Sequence, residues 1–275
     1  MKYCLSVLLN KSNFDLAIVS EKHNIVKKRV CEYNKHTDVA SSIFAAYSKE
    51  FKDYKVSYIG IGIANNIEFN GEVIYDLQGA GRYNVVTALN KLFKKDVYVL
   101  DDASLAGLTL SYKEESRSLL YLIFDSKVSN SFIIDNEIVA LEDDINIKKS
   151  INSDKLVRSY IRKECVKRGL DDEFVCAYFF SNNESSKEVI YNWCKLVSEE
   201  ISRLTKVLKV NDIAFSGYLG SYYDDFKDYL KIGKNIKCHA INNHKENTLI
   251  GVSHLMFKDN GWMLEIISLD KVKFE

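Results

Sequence analysis

VYVLDDASLAGLTLSY, residues 97–112, decides how this chain is read. Four β-formers, Val97 to Leu100, run into two carboxylates, Asp101 and Asp102. A helix of small and apolar residues starts at once, with Ala103, Ser104, Leu105, Ala106, Gly107, Leu108 and Leu110. A strand ending in Asp at the mouth of a helix sets a carboxylate in a cleft. Free N–H groups and the positive end of the helix dipole favour its ionised form there. The small side chains allow the helix to pack closely on a neighbour. Asp101 or Asp102 equally suits a helix N-cap, a role that needs no chemistry.

Outward from this stretch the chain alternates strands and helices. Upstream, residues 2–9, 14–19 and 25–30 read as a three-strand meander with a turn over Asn10, Lys11, Ser12 and Asn13. Thr37 and Asp38 offer an N-cap to a helix carrying Val39, Ile43, Phe44, Tyr47 and Phe51. A buried-type strand, Val56–Ile63, follows, and residues 82–95 read as an amphipathic helix. Downstream, residues 119–124, 131–135 and 137–141 make a second meander. Helices are expected over 154–169 and 185–208, a strand over Asp212–Ser216, a helix near 222–230, a strand over 236–241, a helix near 248–257 and a last strand over 263–269. The repeat predicts an α/β fold of two duplicated lobes with a cleft between them. The expected division is residues 1–105 and 106–275, with the last helix packing back on the first lobe.

Composition narrows the function classes. The 275 residues are long enough to bury a sizeable core, and 38 basic side chains balance 38 acidic ones. No basic field exists to hold nucleic acid, and nothing approaches the roughly 18 apolar residues of a membrane span. The start, MKYCLSVLLNKSNFDL, reads as a strand rather than a signal peptide, so the cytoplasm is the expected location. Six scattered cysteines, Cys4, Cys31, Cys165, Cys176, Cys194 and Cys238, form no C-x-x-C pair and are expected as reduced, buried thiols. Cys238, His239, His244 and His254 match no metal-ligand spacing. Tyr191, Trp193 and Phe180 are expected in the core.

The duplicated plan is that of the actin-like ATPase and hexokinase superfamily, with its ribonuclease-H-like lobes. Several stretches resemble the ROK family of sugar kinases and sugar-responsive repressors. VSYIGIGIANNIEFNGEVI, residues 56–74, resembles the family's VGIGVPGPVD..GVV, with Gly60, Gly62 and Gly71 kept and Ala64 and Asn65 in place of Pro-Gly. VYVLDDASLAGL resembles V-x-V-x-N-D-A-N-A-A-A-L. The resemblance implies that Asp102 is the catalytic base that accepts a proton from a sugar hydroxyl; Asp101 replaces the preceding Asn. LLYLIFDSKVSNSFIIDNEIV resembles the second phosphate hairpin, IAFSGYL the turn facing adenosine, and LIGVSHLMF the closing helix. By that resemblance Asn65, Asn66 and Asp101 are the substrate-binding candidates, with residues 78–84 near a further sugar contact. Ser12, Ser126 and Gly217 are the nucleotide-side candidates. As turn residues, Asn65 and Asn66 need no ligand.

The departures from the family are chemical. Its first hairpin, D-x-G-G-T, holds a metal-positioning aspartate and glycines that admit phosphate. Here Leu8, Leu9, Asn10, Lys11 and Ser12 stand there, and leucine cannot serve a magnesium ion that requires hard oxygen ligands. The second hairpin carries Asp125, Ser126, Lys127, Val128 and Ser129 where bare glycine N–H groups should meet phosphate. The zinc segment and the G-E-x-G-H sugar segment are missing, so no zinc is expected. With the first strand beginning near residue 2, no winged helix is expected either. The sequence therefore predicts a ROK-like protein with impaired or lost phosphoryl transfer, taking a small sugar, a second copy of itself or a protein partner. The alternative is an active, divergent ATP-dependent sugar kinase that uses Mg-ATP and Asp102.

Overall fold

A computed structural model describes residues 1–79, 81–139, 147, 150–170 and 183–258. The chain divides into two units. One holds Met1–Leu110 together with the described residues from Lys245 on; the other holds Ser111–His244.

The first unit opens with β1 (Tyr3–Leu9), β2 (Asn13–Ser20) and β3 (Ile25–Glu32), an antiparallel meander. Asp38 then caps α1 (Val39–Glu50) by accepting the Ser41 N–H at 3.0 Å. The helix carries the chain back to β4 (Val56–Ile63), which lies parallel to β1. A small antiparallel sheet follows: β5 (Glu68–Asn70), β6 (Val73–Tyr75) and β7 (Arg82–Asn84). After it come α2 (Val85–Phe93), β8 (Val97–Asp101) parallel to β4, and α3 (Asp102–Glu114). The main sheet runs β3-β2-β1-β4-β8.

The second unit repeats this order. Its meander is β9 (Ser118–Phe124), β10 (Val128–Ile134) and β11 (Glu137–Val139). The helices α4 (Arg158–Val166) and α5 (Glu184–Val207) lead to β12 (Asp212–Ser216), parallel to β9. Two short helices, α6 (Gly217–Gly220) and α7 (Tyr223–Phe226), precede β13 (Lys237–Ala240), and α8 (His244–Met256) follows it. The sheet order β11-β10-β9-β12-β13 matches that of the first unit strand for strand. A parallel neighbour requires a crossover, and helices supply it in both copies.

Several expectations differ from the structure. Residues 82–95 are not one helix: Arg82–Asn84 pair with β6, and the Asn84 side chain then caps α2 by accepting the Thr87 N–H at 2.8 Å. The turn after β9 is shorter than read, because Val128 and Ser129 already pair with Phe124 and Ile123. The two units divide between Leu110 and Ser111, inside α3, rather than after Leu105, because the first turns of α3 pack on the first unit. The expected strand over 263–269, Phe180 and Cys176 lie outside the described residues.

Each unit has its own core. In the second, α5 lays Val189, Trp193, Val197 and Ile201 on the sheet. Trp193 stands edge-on to Phe124 and Phe226, and its Nε1–H donates to the Leu156 carbonyl at 3.1 Å. Tyr191, expected beside it, is 51% exposed, since it lies on the opposite face of the helix. In the first unit, α1 and α2 cover one sheet face. The other face is closed by α3 and α8 through Cys4, Leu8, Ala17, Val19, Ala64, Leu105, Leu249 and Val252. Glycine makes that contact close. A Cβ on Gly60 would lie 2.3 Å from Val252 Cγ1, and one on Gly251 would lie 2.1 Å from the Leu105 carbonyl oxygen.

At the far end of α8, His254 stacks on His23 with centroids 3.9 Å apart, and His23 Nδ1 lies 2.9 Å from Ser253 Oγ. Burial, and then the charge of His23, pushes the His254 imidazole down from 6.5 to about 3. The folded state thus binds fewer protons than the unfolded chain between those values. Its stability is intact above about pH 6.5 and falls as pH drops toward 3, by up to roughly 5 kcal/mol at about 1.36 kcal/mol per pH unit. Urea unfolding between pH 7 and 4 should show this decline, and His254→Gln should flatten it.

Candidate functional site

The candidate site of the first unit forms where β4 and β8 end. Asp101 closes β8 and caps α3: its Oδ1 accepts the Ser104 N–H at 2.8 Å and its Oδ2 the Ser104 hydroxyl at 2.7 Å. The capping role therefore falls to Asp101, which leaves the Asp102 side chain to the loop that follows β4. Asp102 is 4% exposed, and its Oδ2 accepts the Asn65 N–H at 3.1 Å. Its own carbonyl accepts from Thr248 Oγ1 of α8 at 3.4 Å.

The partner loop is a tight turn. The Ile67 N–H donates to the Ala64 carbonyl at 2.9 Å, and the Ala64 N–H to the Leu9 carbonyl at 3.0 Å. Asn65 and Asn66 are its two central residues. The Asn66 Oδ1 is buried and meets no donor among the described residues, a group that a ligand hydroxyl or amine can satisfy. Asn65, Asn66 and Asp102 are thus brought together; Asp101 adjoins them but spends its carboxylate on the helix.

The first hairpin is closed on itself. The Asn10 N–H donates to the Asn13 carbonyl at 2.9 Å, Asn10 Nδ2 reaches Asn13 Oδ1 and Asp15 Oδ2, both at 3.2 Å, and Tyr33 Oη donates to the Asn10 carbonyl at 2.9 Å. Gln78 Nε2 donates to the Lys11 carbonyl at 2.8 Å, so residue 78 meets the hairpin rather than the Asn65 turn. Ser12 is exposed at the tip. Leu8 is 1% exposed within the apolar cluster under α3 and α8. Asp15 pairs with it across the antiparallel ladder; it is buried, 3.8 Å from Lys245 Nζ.

The second unit holds the other two nucleotide-side candidates, Ser126 and Gly217. The Ser126 N–H donates to Asp125 Oδ1 at 2.8 Å, so this turn satisfies its own donor. Gly217 has φ +80°, and a Cβ there would lie 2.8 Å from the Phe124 carbonyl oxygen; packing against the end of β9 already requires glycine. The Arg158 N–H donates to the Asp125 carbonyl at 3.0 Å, and its guanidinium carbon lies 3.8 Å from the Tyr218 ring centroid. That clasp ties the turn after β9 to the turn after β12, a contact with no periodic or motif signature in the chain.

The histidines go to separate partners: His239 to Asp212 at 2.7 Å, His244 to Tyr121 at 3.0 Å, and His254 to His23. Among the described residues no three His, Cys, Asp or Glu side chains gather as a metal site, and no helix is long and apolar enough to cross a membrane. Burial raises the Cys4 and Cys194 thiols to about 12, so both stay protonated at neutral pH.

No protein-family profile and no curated protein matches the sequence. Solved structures do match. The ROK hexokinase of Thermus thermophilus is 13% identical with a TM-score of 0.75, covering 92% of this chain and 97% of that one. A ROK family protein from Streptococcus pneumoniae TIGR4 in complex with sucrose is 11% identical with a TM-score of 0.70, covering 92% and 96%. The ROK glucokinase of Streptomyces griseus, in complex with glucose and AMPPNP, is 11% identical with a TM-score of 0.67, covering 92% and 98%. The chain has the α/β fold of the ROK sugar kinases, the actin-like ATPase plan in two copies.

Proposed function

We propose that this chain, with the fold of the ROK sugar kinases as its premise, binds a small polyol or sugar-like ligand at the Asn65–Asn66 turn and Asp102, and that its phosphoryl transfer is impaired or lost. The observation that carries the second half is Leu8. At the position where the family holds a metal-positioning acid, this chain buries leucine in an apolar cluster. A magnesium ion takes oxygen ligands and keeps part of its water shell, and that cluster offers neither. Asp125, meanwhile, turns its carboxylate on the hairpin N–H that phosphate would need. These residues do not fit Mg-ATP in the family's manner.

Asp102 and Asn66 support the ligand half. A buried carboxylate beside a helix N-terminus accepts a hydroxyl hydrogen bond strongly, and the Asn66 oxygen can take a second. The complexes of two relatives with sucrose and with glucose make a sugar the first ligand to try. The second reading, an active kinase with Asp102 as base, is favoured by that same buried carboxylate.

Calorimetric titration separates the two. Hexoses and amino sugars are expected to bind without nucleotide and to lose about tenfold or more in affinity in Asp102→Asn. Mg-ATP is expected not to bind in the micromolar range, since each lost charge-assisted hydrogen bond costs about 1.5–3 kcal/mol. Micromolar Mg-ATP binding with sugar-dependent release of ADP, abolished in Asp102→Asn, would establish the kinase instead.

A further inference from the structure

We propose that the outer face of α5 is a docking groove for an acidic, extended peptide segment of a partner protein, a site independent of the Asp102 reading. The helix buries Val189, Trp193, Val197 and Ile201 and turns Tyr191, Lys195, Ser202 and Lys206 outward. Tyr229 and Lys231 form the opposite wall. That wall is fixed: the Lys231 N–H donates to Ser198 Oγ at 2.9 Å, and Ser198 Oγ donates to the Cys194 carbonyl at 2.7 Å. Between the walls lies a groove of about 660 Å³.

Its chemistry is one-sided. Lys195, Lys206 and Lys231 make no ion pair among the described residues, and Glu199 is the one carboxylate in the lining. A surplus of positive charge in a chain with no net charge is a local feature. At one end Tyr191 and Tyr229 stand edge to face, centroids 6.3 Å apart, a platform for one apolar side chain.

Spacing selects the occupant. Lys195 and Lys206 are just over three helical turns apart, so they share a face and lie about 16 Å from each other along the axis. Side chains alternate along an extended peptide that advances about 3.3 Å per residue, so acidic side chains four positions apart share one face about 13 Å from each other, and the flexible lysine stems reach both. Ser202 can hydrogen-bond the backbone between them. A nucleic acid strand carries a phosphate every few ångströms and would set one against Glu199.

The probe is a fluorescein-labelled octapeptide with a leucine at one end and two glutamates four positions apart, followed by anisotropy. Saturable binding is expected, weakening as salt is raised. In Lys195→Glu combined with Lys206→Glu, the affinity should fall at least about tenfold while a peptide with lysines in place of the glutamates gains it. Asp102→Asn should bind the probe as the parent does, whatever becomes of its sugar site. Unchanged binding in the double variant, failure of the probe to saturate, or tighter binding of an oligothymidylate of equal charge would overturn the assignment. Circular dichroism of the double variant is expected to match the parent, since both lysines are exposed.

Discussion

Leu8→Asp, which puts back the acid of a working ROK hairpin, should destabilise the protein by about 3–5 kcal/mol rather than restore a metal site. Leu8 is 1% exposed in the apolar cluster it shares with Leu105, Leu249 and Val252, so a carboxylate there loses its hydration and gains no donor from that cluster. It would also face Asp15 directly across the β1–β2 ladder, and opposed like charges destabilise a sheet. Leu8→Ala, which only opens a cavity, should cost about 2–5 kcal/mol by a different route and should not respond to pH. Urea unfolding at pH 7 and pH 4 distinguishes them: the Asp variant recovers part of its loss when protonated. An Asp variant with the parental midpoint, further raised by magnesium, would mean that the metal site is intact.

Gly251→Ala should be nearly as damaging, although alanine is the better helix former by about 1 kcal/mol. The added Cβ would lie 2.1 Å from the Leu105 carbonyl oxygen and 2.6 Å from its carbon. These are backbone atoms of α3, so no rotamer change relieves the clash and α8 must move away from α3. A net loss of about 3 kcal/mol is expected, near the upper end for overpacking. The control is Gly71→Ala in the β5–β6 turn, where φ is +58° but the space is open; about 1 kcal/mol is expected there. Melting temperatures should fall by roughly 2–4 °C per kcal/mol for units of this size. Equal effects at the two glycines would contradict the close α3–α8 contact.

The sequence carried most of the architecture because hydrophobic period and turn chemistry agreed along it. Val56–Ile63 and Asp212–Ser216 stand as read, and Asp38 caps α1 as its position before an apolar helical pattern predicts. The small sheet over residues 68–84 was legible too: Asn70-Gly71 between short apolar runs is a strong hairpin signal. It was outweighed by the helical spacing of Val85, Val86 and Leu89, which begins one residue after the sheet ends. At the candidate site, the pair Asp101–Asp102 was visible but its division of labour was not. Which carboxylate caps and which turns inward depends on Ser104 and on the Asn65 N–H, the latter far away in sequence. The Arg158–Tyr218 clasp and the His23–His254 stack are likewise contacts across long separations with no periodic signature.

The discontinuity of the first unit has a consequence for how the protein is made. Its meander leaves the ribosome before the second unit, yet α8, which packs with Leu8, Val19 and Ala64, is encoded after Ser111–His244 of that unit. At roughly 5–20 residues per second, on the order of ten seconds or more separate the two events. Throughout that interval the nascent chain carries an apolar sheet face that α3 covers only in part. Completion of the first unit therefore waits until Ser111–His244 has been made, and a chain truncated before Lys245 would expose part of the same face permanently to chaperones and proteases.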